Sequence, residues 1–424
     1  MATDARYSSP LAAELAEPTL ERFLRYVVID TQSAEGSDSY PSTAKQLDLS
    51  RLLVEELKEL GLDDAHLDAH GYAMATLPAT VEHDVPVLGL IAHVDTSPQV
   101  SGANVKPQLV RDYDGGRIVL PGDPAQVLDP AELPELSLHA GHDLVTTDGT
   151  TLLGADDKAG VAEIMAAVEY LAAHPELPHG ALRVGFTPDE EVGAGTTYFD
   201  IEAFGAAAAF TLDGSTAGEI QDETFSALEV IVRFRGVSMH PGFAKGHLVS
   251  ALKLAADFVA SLPRDRLSPE TTEDREGFVH PHSIEGNGAE ATVVLIVRDF
   301  DEELLAAHEA LLRRLAAETA ASAERAQVEV TTRRQYRNMK GVLDGHPELT
   351  EAAEEAIRRA GLEPVRAGIR GGTDGAVLTE LGLPTPNLFD GGHEYHSERE
   401  WICVQDIGAA TATIVHLAQI WAER

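Results

Sequence analysis

Residues 86–92 read PVLGLIA and stop at His93. The run is apolar on both faces, as a strand covered on both sides must be, whereas a half-exposed strand alternates. ALRVGFT (181–187) and the run 207–212, which ends at Asp213, have the same character. Between them, DKAGVAEIMAAVEYLAA (157–173) carries apolar residues at helical spacing, with Asp156 near its N-cap. Upstream, residues 18–30 and 43–60 show helical spacing, and Gly61 follows the second as a C-cap. Alternating helices and buried strands predict an α/β domain on a mainly parallel sheet.

After Asp213 the pattern changes. SALEVIVRFRG predicts a strand, LVSALKLAADFVASL a helix, GFVHPHSIEG and ATVVLIVRDF two strands, EELLAAHEALLRRLAAETAASAER a helix, and QVEVTTRR a last strand. The order β-α-β-β-α-β is the ferredoxin-like arrangement. Residues 221–335 are therefore expected to be an α+β domain inserted into a first domain made of 1–220 and 336–424. The first domain resumes with the helical ELTEAAEEAIRRAG, the strand-like TPNLF and a closing helix over 405–422.

A length of 424 residues suits two domains. Lys and Arg number 32 against 70 Asp and Glu, a net charge of −38. Such a field repels phosphate backbones and anionic lipid, which argues against nucleic-acid and membrane partners. Cys403 is the only cysteine, so no intrachain disulfide forms, which suits a reducing cytosol. The first residues lack a basic segment followed by an apolar core, so no secretory signal is expected, and the location expected is cytoplasmic.

Ligands in open α/β sheets bind beyond the carboxyl ends of the strands. His93, Asp213 and the pair Glu190 and Glu191 all stand at such ends. Asp156 and His396 lie in the Gly-rich segments LLGADDKAG and GGHEYHSERE. Imidazole and carboxylate are zinc donors, and a carboxylate with two oxygens can bridge two cations about 3.5–4 Å apart. Asp95 is placed to fix the tautomer of His93. A turn at Glu190 and Glu191 would aim one carboxylate at a metal and leave the other as a base. Taken singly, each has an ordinary alternative: capping for Asp156, a turn for Asp213, an acidic loop for the glutamates, a surface loop for His396 or its neighbour His393.

The ordered strings HVDTSP, TDGTTLLGADDKAG, FTPDEEVG, TLDG, HPGFAKG, VRDFD, IRGGTDGA and PNLFDGG resemble the M20 family of zinc peptidases over nearly the whole chain, and within it the branch that cleaves tripeptides. The resemblance implies that His93 and Asp213 hold one zinc, that Glu191 and His396 hold the other, and that Asp156 bridges them through a loop with a cis peptide after Asp156. It implies Asp95 as the carboxylate behind His93, and Glu190 as general base toward a water polarised between the two ions. The resemblance also prefers His396 to His393, because the family's ligand is followed four positions later by a Glu, here Glu400; His393 and Glu394 depart from the Tyr-Asn expected there. The inserted domain is expected to cap short peptide substrates. The substrate candidates are His240 and Arg298 (with Asp299 and Asp301 as competing partners) from that domain, Asn338 from the YRNM segment after it, and Arg370 from the GIRGGTDG turn. The implied activity is release of the N-terminal residue from tripeptides. Dipeptidase, carboxypeptidase or N-acyl amino acid deacylase activity is the alternative, and a catalytically silent binding protein a more distant one. Cobalt or manganese could substitute for zinc at carboxylate-rich sites. Monomer and homodimer both remain open.

Overall fold

The apolar runs become neighbours at the centre of a sheet. In this computed structural model, which describes residues 6–424, the strand Leu88–His93 lies between Leu182–Thr187 and Ala208–Thr211, parallel to both. Every residue of these three strands is buried. Ala73–Leu77 and His66–Leu67 extend the sheet antiparallel on one side. Asn387–Leu388, Glu219–Thr224 and Val365–Ile369 complete eight strands on the other. The last two, the polar EIQDET and the short, mostly exposed VRAGI, lack the periodicity that marks a strand in sequence. A smaller four-stranded sheet joins Gly392–His393, Trp401–Cys403, Leu144–Thr146 and Gln108–Val110.

Helices Pro10–Val27, Ala155–Ala173 and Val404–Trp421 pack on one another. Gly408 allows the closest approach: a Cβ there would lie 2.6 Å from the Ala12 carbonyl oxygen and 2.8 Å from the Ala16 Cβ. The first helix begins at Pro10, not at residue 18 as expected, with the Ser9 hydroxyl accepting from the Ala12 N–H at 3.1 Å. Pro18 sits inside it. Proline costs a helix one hydrogen bond, but the stripe of Leu15, Leu20, Phe23 and Val27 is buried on both sides of it. Burial of that stripe outweighs the lost bond.

Two units emerge. One contains the chain up to Asp222, Gly341–Ala367 and Thr373–Arg424; the other is Glu223–Lys340 with Gly368–Gly372. The inserted unit therefore runs past the expected end at residue 335. Its last strand, Gln327–Tyr336, extends beyond QVEVTTRR, and Asn338 then bonds to Thr224 and Phe300 of the same unit. Its sheet is antiparallel, in the order Phe278–Gly286, Glu290–Asp299, Ser226–Arg235, Gln327–Tyr336. Val230, Val232, Phe234, Val293 and Leu295 alternate toward one face and pack with Phe258, Leu305 and Leu312 of the two helices. This is the ferredoxin-like arrangement. No helix among the described residues is long and apolar enough to cross a membrane.

Candidate metal centre

Parallel pairing puts the carboxyl ends of the three buried strands on one edge of the sheet. His93 is the last residue of its strand. Beyond Thr187 the chain turns through Asp189 in the left-handed region (φ 61°) into the single turn Glu190–Val192. The Asp189 carboxylate accepts from the Ser42 backbone N–H at 2.6 Å, the Ser42 hydroxyl at 2.5 Å and Gln46 at 2.7 Å, which pins that turn. Asp213 is held through its backbone: its N–H donates to the Asn387 side-chain oxygen at 2.9 Å, and its carbonyl accepts from the Asn387 amide at 2.7 Å.

Asp156 lies at the head of helix Ala155–Ala173, after left-handed Gly154, and the Asp156–Asp157 peptide is cis. The buried Glu400 carboxylate accepts from the backbone N–H groups of Leu153, Gly154, Ala155 and Asp156 at 2.7–3.2 Å. Asp157 turns away from the centre, accepting from the His93 backbone N–H at 3.0 Å. His396 is in the left-handed region at φ 56°.

These elements bring the candidates together in two triads that share Asp156: His93, Asp156 and Asp213, and Asp156, Glu191 and His396. In each, one donor atom per residue lies within 4.8 Å of the others. His93 Nε2 is 2.8 Å from Asp156 Oδ1 and 3.9 Å from Asp213 Oδ1. His396 Nε2 is 3.1 Å from Asp156 Oδ2 and 2.9 Å from Glu191 Oε2. His393 points elsewhere, stacked on Trp401 with ring centroids 4.2 Å apart. Glu190 belongs to neither triad.

Asp95 is fully buried and faces two ways. His93 Nδ1 lies 3.1 Å from its carbonyl oxygen and 3.4 Å from its Oδ1. Its two carboxylate oxygens accept from the Glu190 and Glu191 backbone N–H groups at 3.0 and 3.3 Å. One side chain thereby sets the spacing between the first histidine and the glutamate turn.

The charge balance explains what such a site would hold. Burial, and then repulsion from Asp213, drive the Glu190 carboxyl well above the usual range. Burial and Asp156 do the same to Asp213, and push Glu191 up to about 7. Asp156 is lowered, because His396 and His93 outweigh its burial. The histidines respond in kind: contact with Asp156 and Glu191 overcomes burial and raises His396 to about 11. So many carboxylates require positive charge at their centre. Glu191 Oε1 is buried with no hydrogen-bond partner, an orphaned acceptor facing that requirement. The donor set, imidazole nitrogen and carboxylate oxygen with one carboxylate common to both triads, fits a pair of divalent cations.

Two further carboxylates belong here that the strand ends did not reveal. Asp374 is buried, pushed up to about 6 by that burial, and accepts from the Thr187 hydroxyl at 2.7 Å. Glu400 is the clamp on the Asp156 loop. Its four-residue spacing from His396 marked it without indicating this task.

The four substrate candidates all lie in the inserted unit. His240 is exposed and accepts from the Gly242 N–H through Nδ1. Arg298 donates to the Val297 and Leu228 carbonyls and lies 5.4 Å from the centroid of the Tyr336 ring. It does not pair with its acidic neighbours: Asp299 meets His308, and Asp301 caps the following helix. Asn338 bonds to the Thr224 N–H and the Phe300 carbonyl. Arg370 donates to the carbonyls of Thr272, Asp274 and Glu276 and to the Thr272 hydroxyl.

The profile described as Peptidase family M20/M25/M40 matches residues 143–420, and the chain belongs to this family. Peptidase T of Geobacillus sp. (strain WCH70) is 46% identical over 405 residues, 96% of this chain and 98% of that protein. Peptidase T of Shouchella clausii (strain KSM-K16) is 47% identical over 410 residues, 97% and 100%. Among solved structures, aminopeptidase PepT from Bacillus cereus ATCC 10987 shares the fold, with a TM-score of 0.73 at 24% identity over 96% of this chain and 99% of that one.

Proposed function

We propose that the protein is a dizinc aminopeptidase that releases the N-terminal residue of tripeptides. The observation that carries this reading is a pair of triads sharing Asp156, with one neighbouring carboxylate, Glu190, outside both. The near-full-length similarity to proteins named Peptidase T supports the substrate class. His93 and Asp213 would hold one ion, Glu191 and His396 the other, with Asp156 between; cobalt or manganese would be the substitutes.

Bound there, the ions would supply Lewis acidity toward a water and countercharge for the tetrahedral oxyanion. The chain supplies the proton traffic and the positioning. Glu190 takes the proton of the attacking water and returns it to the leaving amine. Its raised affinity for a proton suits a group that must hold one between the two steps. Asp95 keeps His93 in one orientation and fixes the backbone of Glu190, so base and ligand move as one body. In the inserted unit, Arg298, Arg370 and Asn338 would each contact a peptide by giving up bonds they already make, so substrate contact is assigned first to the exposed His240. The single buried cysteine is in keeping with a reducing compartment, and the proposal puts the enzyme in the cytoplasm.

The test is hydrolysis of a tripeptide and its N-acetylated form, before and after chelation, with zinc restored at the end. Expected are loss on chelation, recovery with zinc, and cleavage of the free-amine peptide alone. Equal cleavage of the blocked peptide would instead favour a carboxypeptidase or deacylase, and activity indifferent to chelation would overturn the metal-dependent reading.

A further inference from the structure

A second group of donors lies apart from the paired centre. It consists of His139, His142, Cys403 and Asp406, each offering one donor atom, all within 4.8 Å of one another. It shares no residue with either triad. His139 and His142 come from the turn after the short helix Pro134–Ser137; Cys403 ends the strand Trp401–Cys403, and Asp406 lies in the first turn of helix Val404–Trp421. Cys403 pairs with Leu144 across the small sheet, which is what brings segments 261 residues apart side by side.

The hydrogen bonding around His139 is the telling detail. Its Nδ1 is 2.9 Å from the Glu135 carbonyl oxygen, which can only accept, so Nδ1 carries the proton. In the neutral ring Nε2 then presents a lone pair, yet it lies 2.9 Å from Asp406 Oδ2, another acceptor. Two lone pairs face each other unless a proton or a cation lies between them. A ring nitrogen that donates to a backbone carbonyl while its partner nitrogen faces anionic donors is the usual arrangement of a metal-bound histidine. The other edge of the cluster agrees: His142 Nδ1 lies 3.5 Å from Cys403 Sγ. Zinc bonds of about 2.0–2.3 Å at tetrahedral angles separate donors by roughly 3.3–3.7 Å, which the 3.5 Å His142–Cys403 spacing matches, while the 2.9 Å His139–Asp406 pair would have to open slightly to admit an ion. Cys403 is completely buried, and His139 and Asp406 nearly so. The neighbouring His393 ring packs on His139 at 5.6 Å, and its Nε2 is buried with no partner, a further polar atom lacking compensation here.

We propose that His139, His142, Cys403 and Asp406 form a structural site for one borderline-soft divalent cation of the zinc class. Four protein donors leave no open position, as in structural zinc sites. The ion would bind the Cys403 thiolate, displacing the thiol proton to solvent, and would lie between His139 and Asp406. It would fasten residues 139–142 to the segment that carries His396 and Glu400 a few positions upstream. The competing arrangement is a His139 imidazolium paired with Asp406, which needs no cation and leaves Cys403 a neutral thiol that donates to Gln405 Oε1 at 3.5 Å, its deprotonation opposed first by burial and then by Asp406.

Cobalt distinguishes the two. Cys403 is the only cysteine and neither triad contains sulfur, so a thiolate-to-cobalt charge-transfer band can arise only at this site. The full chain, freed of metal and titrated with Co2+, is expected to develop that band to saturation within three equivalents, two being taken by the paired centre, in the micromolar range or tighter. Cys403→Ser should abolish the band, and both Cys403→Ser and His142→Gln should lower the zinc bound per chain by one. His142 is half-exposed, so its substitution tests the site with little risk to the fold. No band on the unmodified chain, a band only at millimolar cobalt, or a zinc count unchanged in both folded variants would each overturn the proposal. None of these outcomes depends on peptidase activity, so the site and the catalytic reading stand or fall separately.

Discussion

Glu190 and Glu191 are adjacent in sequence and opposite in circumstance. Glu191 lies 2.9 Å from His396 within a triad, whereas Glu190 is held through its backbone, its N–H donating to Asp95 and its carbonyl accepting from Gly193. Glu190→Gln is therefore expected to keep both ions and lose about 10²–10⁴-fold in kcat, the usual worth of a general base. Glu191→Gln should lose metal first and activity in consequence. Metal analysis beside kinetics checks both, and a fully active, metal-loaded Glu190→Gln would remove Glu190 from the chemistry. The histidines give a second expectation. Without a cation, Asp156 and Glu191 hold a proton on His396 up to about pH 11, so at neutral pH an ion must displace that proton to bind. Apparent metal affinity should rise with pH, about tenfold per unit for each proton displaced, and competition with a chelating indicator between about pH 6 and 8 would measure the slope. A flat profile would mean that imidazole is not a ligand. His93 and Asp213 were readable in the sequence because each ends an apolar run. Asp374 was not, because its partner Thr187 is 187 residues away and nothing local distinguishes it from a helix-starting aspartate.

At the scale of elements, the centre depends on a loop being held still. Leu153 to Asp156 leave four N–H groups pointing the same way at a helix start, and Glu400 collects all four. A carboxylate has the acceptor capacity for this; a carboxamide has one oxygen and presents an N–H₂ to donors. Glu400→Gln should therefore leave N–H groups unpaired and loosen Asp156, the residue common to both triads. Loss of such supporting contacts typically costs 10–100-fold in metal affinity. Equilibrium dialysis against zinc would show it, and unchanged affinity would reduce Glu400 to a packing residue. This clamp also shows where the sequence stops being informative. The helix after Asp156 follows from its periodicity, and the strand after it from its apolar run. The clamp joins positions about 245 apart, and no local pattern encodes it. The same applies to Glu219–Thr224, whose polar side chains give no alternation, and to the short, mostly exposed Val365–Ile369; both become strands only because the sheet supplies a neighbour. The first helix erred in the other direction. The spacing predicts a helix from residue 18, yet the helix runs through Pro18 back to Pro10.

Over the whole molecule, 70 acidic residues against 32 basic ones leave a charge of −38. Surface ion pairs do form, among them Arg314 with Glu318 and Arg333 with Glu229, but exposed pairs of this kind contribute about 0–1 kcal/mol each. There are not enough cations to pair every carboxylate, so the remaining repulsion opposes the compact state. Salt screens both terms, and the Debye length shrinks from about 30 Å at 0.01 M to about 3 Å at 1 M. With repulsion dominant, screening should stabilise. Tm is expected to rise with sodium chloride across that range, by roughly 2–4 °C for each kcal/mol of repulsion relieved in a unit of ordinary domain size. Zinc must be kept in excess, because salt also weakens cation binding, and loss of bound metal would lower Tm for a different reason. Chloride is the right anion, since sulfate would strengthen apolar burial and imitate the effect. A Tm that falls with salt in the metal-saturated protein would mean that the ion pairs, and not the unpaired carboxylates, govern the surface.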